Sequence, residues 1–136
     1  MALSHLLDTS VLCQPIKDTP ITTVLARWDE LGEAVVCTSA ICVAEVLQGL
    51  EQRQSEKYWS RYRELLAGRY PVLAVDEAVA AQFGKLASEL RQAGHTKPAL
   101  DLFVAATAKR HGLTIATLNI GHFLNIPGLA VEDWSR

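Results

Sequence analysis

Short apolar runs, bounded by turn residues and separated by segments of helical periodicity, are what most constrain this chain. Runs at residues 2–7, 34–37, 70–75, 113–116 and 129–131 have the length and composition of strands. Between the first two, Ile21, Val24, Leu25, Trp28 and Leu31 recur at the spacing of an amphipathic helix. Further helices are expected over residues 40–48, 51–67, 77–93 and 98–111, with Gly32, Gly49, Gly94 and Gly112 near their ends. Thr38 or Ser39 is the expected N-cap of the second of these helices, and Asp76 that of the fourth. Pro98 fits the first turn of the last. Strands that alternate with helices form a mostly parallel sheet covered by helices. With no linker, repeat or low-complexity tract, residues 1–136 read as one α/β domain.

Composition narrows the classes of function. Nearly half the residues are apolar (49%), enough for a full core and against disorder. No apolar run approaches the roughly 18 residues of a membrane span, and the N-terminus lacks the basic region and cleavage site of a signal peptide. Cys13, Cys37 and Cys42 form neither a CxxC nor a zinc-finger spacing, so reduced thiols and a cytoplasmic location are expected. Thirteen basic against fifteen acidic residues leave a net charge of −2, which gives no global signal for nucleic acid. The charged segment 51–67 reads first as a solvated helix face, with a strip for a phosphate backbone as the other reading.

Three carboxylates stand out. Asp8 closes the first strand in Leu6-Leu7-Asp8-Thr9-Ser10, at the strand end where open parallel sheets bind ligands. It is either a ligand-binding group or a turn residue. Glu45 is the only charge in its apolar neighbourhood, and so is Asp101. A lone buried charge is costly unless paired or metal-bound. Glu45 could equally mark a solvent face, and Asp101 could sit favourably at the positive end of its helix. Thr117 and Asn119 follow a strand and so share the carboxyl-end edge with Asp8. Oxygen-rich side chains gathered there suit Mg²⁺ or Mn²⁺, which can activate water and stabilise an in-line phosphoryl displacement. No GxGxxG, Walker-type loop, GxSxG elbow or HExxH competes, and Ser10 stands where a haloacid-dehalogenase-type phosphatase needs a second Asp.

The whole chain resembles a PIN-domain ribonuclease of the VapC toxin type. The matching pieces are LLDTS at 6–10, VAEVLQGL at 43–50, ALDLFVAATAKRHGL at 99–113, ATLNIGHF at 116–123 and IPGLAVEDW at 126–134. The resemblance implies an α/β/α sandwich and RNA cleavage with Mg²⁺ or Mn²⁺. It places the metal-binding acids at Asp8, Glu45 and Asp101, with Asn119 orienting the site. Ser10 and Thr117 match the small polar positions beside them. His122 stands where a fourth acid is often found, either as a metal or phosphate contact or as a structural residue. The resemblance further implies a VapB-like antitoxin in the active-site groove, a homodimer, a tRNA or rRNA substrate, and DNA reached only through the antitoxin. A FitB-like module, catalytically weak and acting on DNA within a toxin–antitoxin complex, is the alternative.

Overall fold

In the computed structural model, which describes residues 2–136, a five-stranded sheet runs entirely parallel. The strands are β1 (His5–Leu7), β2 (Val36–Ser39), β3 (Val72–Leu73), β4 (Thr114–Thr117) and β5 (Val131–Asp133). Their order in space is β3-β2-β1-β4-β5, so β1 lies at the centre. His5 pairs with Val36 on one side and with Thr114 on the other. The chain winds outward from β1 to β3, then crosses back to lay β4 on the opposite flank. That reversal makes the gap between β1 and β4 the topological switch point, where such sheets open a crevice for ligands.

Six α-helices accompany the sheet: α1 (Thr9–Leu12), α2 (Thr22–Leu31), α3 (Ala40–Arg53), α4 (Glu56–Leu65), α5 (Glu77–Gln92) and α6 (Ala99–His111). Leu6 and Leu7 of β1, Val36 and Cys37 of β2, and Ile115 and Ala116 of β4 are all buried. Such short strands, apolar on both faces, are what a helix-covered parallel sheet requires. The run Val104 to Ala108 of α6 is buried throughout, and Phe83 of α5 stacks on Phe103 at 4.1 Å. Both edge strands are three residues or fewer, which limits the unpaired backbone they offer to other chains.

Caps stand where the side chains predict them. Ser39 Oγ accepts from the Cys42 N–H (3.1 Å), and Asp76 Oδ1 accepts from the Val79 N–H (2.9 Å). Pro98 sits one residue before α6 and leaves its carbonyl to accept from the Leu102 N–H. The five strands and their parallel pairing follow the sequence reading, but α1 was not expected and several boundaries move. α3 does not stop near Gly49: its buried stripe Cys42, Val46 and Leu50 carries the helix through the glycine to Arg53. It ends at Gln54, in the left-handed region (φ 51°). The expected single helix 51–67 is therefore two, since the reversal at Gln54 is what turns Tyr58, Trp59, Tyr62 and Leu66 back onto the core.

β3 is only two residues long, because its partner β2 ends at Ser39 and enters α3, leaving Ala74 and Val75 nothing to pair with. Residues 33–35 form a 3₁₀ turn, so β2 begins two residues later than expected. The turn through Pro127 likewise delays β5 to Val131. Trp28 is core and Trp59 half-buried, which accounts for both as packing residues. All three cysteines are free, and burial pushes the Cys37 thiol up to about 11.

Gly84 lies mid-helix in α5, with open space around the position a Cβ would take. Gly84→Ala is expected to stabilise the fold by about 0.5–1 kcal/mol, since glycine carries the larger entropy cost in a helix. Urea denaturation followed by circular dichroism reads this directly; an unchanged or lower midpoint contradicts it.

Candidate active site

The site is built outward from Asp8. Its backbone N–H donates to the Ala116 carbonyl (3.0 Å), continuing the β1–β4 ladder, and its carbonyl receives the first turn of α1. Asp8 is thereby fixed at the mouth of the switch point with only 6% of its surface exposed. A carboxylate so enclosed needs hydrogen-bond donors. Thr117 Oγ1, fully buried at the end of β4, donates to Asp8 Oδ2 at 2.9 Å, and Ser10 Oγ donates to the same oxygen at 3.1 Å. Both hydroxyls also hold the next turn of chain: Thr117 Oγ1 accepts from the Asn119 N–H and Ser10 Oγ from the Leu118 N–H. Turn chemistry and carboxylate support are one device here. Among the described residues nothing donates to Asp8 Oδ1.

Glu45 is half-buried on α3, and Thr9 Oγ1 donates to its Oε1 at 2.7 Å. Sequence reasoning gave Thr9 no role beyond turn chemistry; its only signal was its place between Asp8 and Ser10. Glu45 Oε2 has no donor among the described residues.

Asp101 occupies the first turn of α6, and His122 Nδ1 lies 3.5 Å from its Oδ2. Burial raises the Asp101 pKa above the usual range, the charge of Asp8 raises it further, and His122 and Lys97 oppose the shift. Asp8 thus acts unfavourably on a charged Asp101, though less strongly than burial does. Lys97 itself donates to the Gly121 carbonyl, tying the approach to α6 to the loop that carries His122.

Asn119 is placed by its backbone: its carbonyl accepts from the His122 N–H (2.9 Å), while its exposed side chain bonds no described residue. The tertiary structure thus unites Asp8, Ser10 and Thr117 in one bonded group, pairs Thr9 with Glu45, and sets Asp101 beside His122. It does not close the three acids into one ligand cluster: among the described residues no group of three or more His, Cys, Asp or Glu side chains is gathered at metal-holding distances. The donor set nevertheless fits a hard cation. It is all carboxylate oxygen, Asp8 Oδ1, Glu45 Oε2 and Asp101 Oδ1 accept from no described residue, and the unfavourable effect of Asp8 on Asp101 is of the kind a dication relieves.

Residues 5–128 match the PIN domain family. The chain is 32% identical to the tRNA(fMet)-specific endonuclease VapC of Shigella flexneri, over 98% of this chain and 99% of that one. It is 35% identical to Toxin FitB of Neisseria gonorrhoeae, over 95% and 97% respectively. Its fold superposes on the DNA-bound VapBC structure from Salmonella typhimurium with a TM-score of 0.82, at 30% identity and with 97% and 98% of the two chains covered. No helix among the described residues is long and apolar enough to cross a membrane.

Because the Asp101 pKa is raised in the native state, that state binds the proton more tightly than the unfolded chain. The resulting stability is present below the ordinary aspartate range and is lost as pH rises through the native value. Asp101→Asn is therefore expected to raise the melting temperature at pH 7 by roughly 1–4 °C. The gain should shrink towards pH 4, where both states of the wild type are becoming protonated. Thermal denaturation at the two pH values measures it; a lowered melting point at pH 7 contradicts the repulsion.

Proposed function

The chain belongs to the PIN-domain family, and from that premise we propose that it is the endoribonuclease toxin of a VapBC-type toxin–antitoxin system. It hydrolyses RNA phosphodiester bonds with a divalent cation, Mg²⁺ or Mn²⁺. The observation that carries this reading is the pair Asp8 and Asp101 at the switch point, one locked by Thr117 and Ser10, the other raised in pKa by burial and by its neighbour's charge. Oxygen donors held in mutual repulsion at a strand-end crevice are a cation site in waiting.

Asp8, Asp101 and Glu45 are the residues that would hold the cation. When bound, it supplies charge to stabilise the phosphorane-like transition state and lowers the pKa of water. The protein's own contribution is orientation. Thr117 and Ser10 fix the plane of the Asp8 carboxylate through Oδ2 and leave Oδ1 to face the site. Thr9 does the same for Glu45 through Oε1. His122, beside Asp101, would meet a phosphate oxygen of the substrate. Asn119, anchored through its backbone just after β4, would orient the site with its exposed amide.

The partners that accompany this reading are a VapB-like antitoxin occupying the crevice and a second copy of the chain, in the cytoplasm. The complexes formed by VapC relatives support the first, and DNA is reached through the antitoxin. The name of the Shigella relative makes tRNA(fMet) the first RNA to test. The similarity to FitB favours a second reading, a catalytically weak module acting within a DNA-bound complex. That reading predicts an operator mobility shift that needs the antitoxin, and no cleavage of RNA.

Asp8→Asn keeps the Oδ2 hydrogen bonds within reach while removing the charge. It is expected to abolish RNA cleavage, a loss of at least about a thousandfold, with an unchanged circular-dichroism spectrum. A chelator should abolish wild-type cleavage, and added Mg²⁺ or Mn²⁺ restore it. Cleavage retained by well-purified Asp8→Asn protein overturns the assignment.

A further inference from the structure

Next to Glu45 the surface opens into a cavity of about 250 Å³ that none of the proposed chemistry uses. Thr9 and Glu45 form its inner wall, so it is continuous with the site. Its floor is apolar: Ile16, Val46 and Leu50, each less than a tenth exposed. Tyr58 of α4 and Arg53 at the end of α3 close the outer side.

These two side chains form a fixed plane. The Arg53 guanidinium stands 4.3 Å from the centre of the Tyr58 ring and donates to its hydroxyl (3.1 Å), which in turn donates to Asp18 Oδ2 at 2.6 Å. Asp18 is held by Arg61 (2.8 Å) and Lys57 (3.0 Å), and these contacts keep its carboxyl well below the usual range. Lys17 stands at the rim. Lys17 and Arg53 line the cavity against the single carboxylate of Glu45, and Lys57 and Arg61 stand by the Tyr58 ring and share Asp18, while the chain as a whole is slightly acidic. An apolar slot with a rigid aromatic–guanidinium wall and a cationic rim has the chemistry of a single-stranded RNA site. Bases stack on such planes while Lys and Arg track the phosphates.

We propose that this cavity receives an unpaired base of the RNA substrate adjoining the scissile phosphate, and that Arg53 and Tyr58 set the nucleotide preference of cleavage. The proposal rests on the ribonuclease reading above. A base is favoured over a protein segment because Lys17 and Arg53 at the cavity suit a phosphate backbone and its inner wall is Glu45 of the proposed site.

The test fills the cavity. Gly49 lines it from within α3, and a Cβ built there meets nothing within 4 Å. Gly49→Leu therefore starts from an unobstructed Cβ and directs its side chain into the space, and leucine is the better helix former. Its folding is checked by thermal denaturation. Wild type, Gly49→Leu and Arg53→Met are incubated with a random-sequence single-stranded RNA pool and with total cellular RNA, and the cleaved ends are sequenced; steady-state kinetics follow on the preferred site. For Gly49→Leu the base preference at one position beside the cut should vanish, and kcat/KM should fall by about tenfold to a hundredfold, mainly through KM. For Arg53→Met the dependence of log KM on log salt should weaken by roughly 0.7, one phosphate contact to a single strand.

If wild type and Gly49→Leu give the same ends and the same KM, the base-pocket assignment is wrong while the nuclease reading stands. If in addition Gly49→Leu escapes inhibition by the antitoxin, the cavity belongs to the protein partner instead. If wild type cleaves no RNA that Asp8→Asn spares, the nuclease reading fails and this assignment falls with it.

Discussion

The rest of the structure depends on how a buried carboxylate is tolerated at the end of the central strand. Asp8 is enclosed because β1 is flanked on both sides, and a carboxylate so enclosed needs donors at hand. Thr117 can supply one because β4 pairs with β1 in register, Leu7 opposite Ala116, which puts the next residue of each strand side by side. Ser10 supplies the other because α1 begins immediately after Asp8 and folds the chain back over it. The sheet order, the tight β1–α1 junction and the hydroxyl pair are therefore one arrangement. Moving any of them would leave Asp8 buried without a partner, which costs more than the hydrogen bonds themselves are worth.

The charge distribution separates the crevice into two regions of opposite sign. Acids crowd the switch point, where Asp101 already feels Asp8. Cations gather beyond Glu45, where Lys57 and Arg61 share Asp18 and Arg53 lies over Tyr58. A net charge of −2 conceals this division entirely. It also explains how a slightly acidic protein can attract a polyanion: the local field at a groove, and not the total, governs approach. The Asp18 cluster has a mechanical effect too, tying the loop after α1 to α4 through Tyr58 and through the Arg61 bond to the Ile16 carbonyl.

Much of this was legible in the sequence, for reasons that differ by element. The strands and helices announced themselves by period and by punctuation: Ser39 and Asp76 cap where expected, and Gly112 ends α6 in the left-handed region. Boundaries that depend on a partner were not legible. β3 is short because β2 turns away, and α3 continues past Gly49 because Leu50 has a core to enter. In the site, Asp8, Glu45 and Asp101 were visible as charges isolated in apolar runs. Thr9 was not, since a hydroxyl in a turn has an ordinary local explanation. Nor was the cavity beside Glu45, whose walls come from α1, the following 3₁₀ turn, α3 and α4.

By itself, then, the amino-acid order determined the five strands, most of the helices, the parallel class of the sheet and three isolated acids, because periodicity and isolated charge are properties of neighbours along the chain. The tertiary structure decided which oxygen of Asp8 is held and which is free, that Asp101 is opposed by Asp8 and eased by His122, and that the segment from Glu51 onward breaks at Gln54 to set Tyr58 beside Arg53. Hydrogen bonds, repulsion and stacking act over a few ångströms between residues up to 127 positions apart. No local pattern carries that distance.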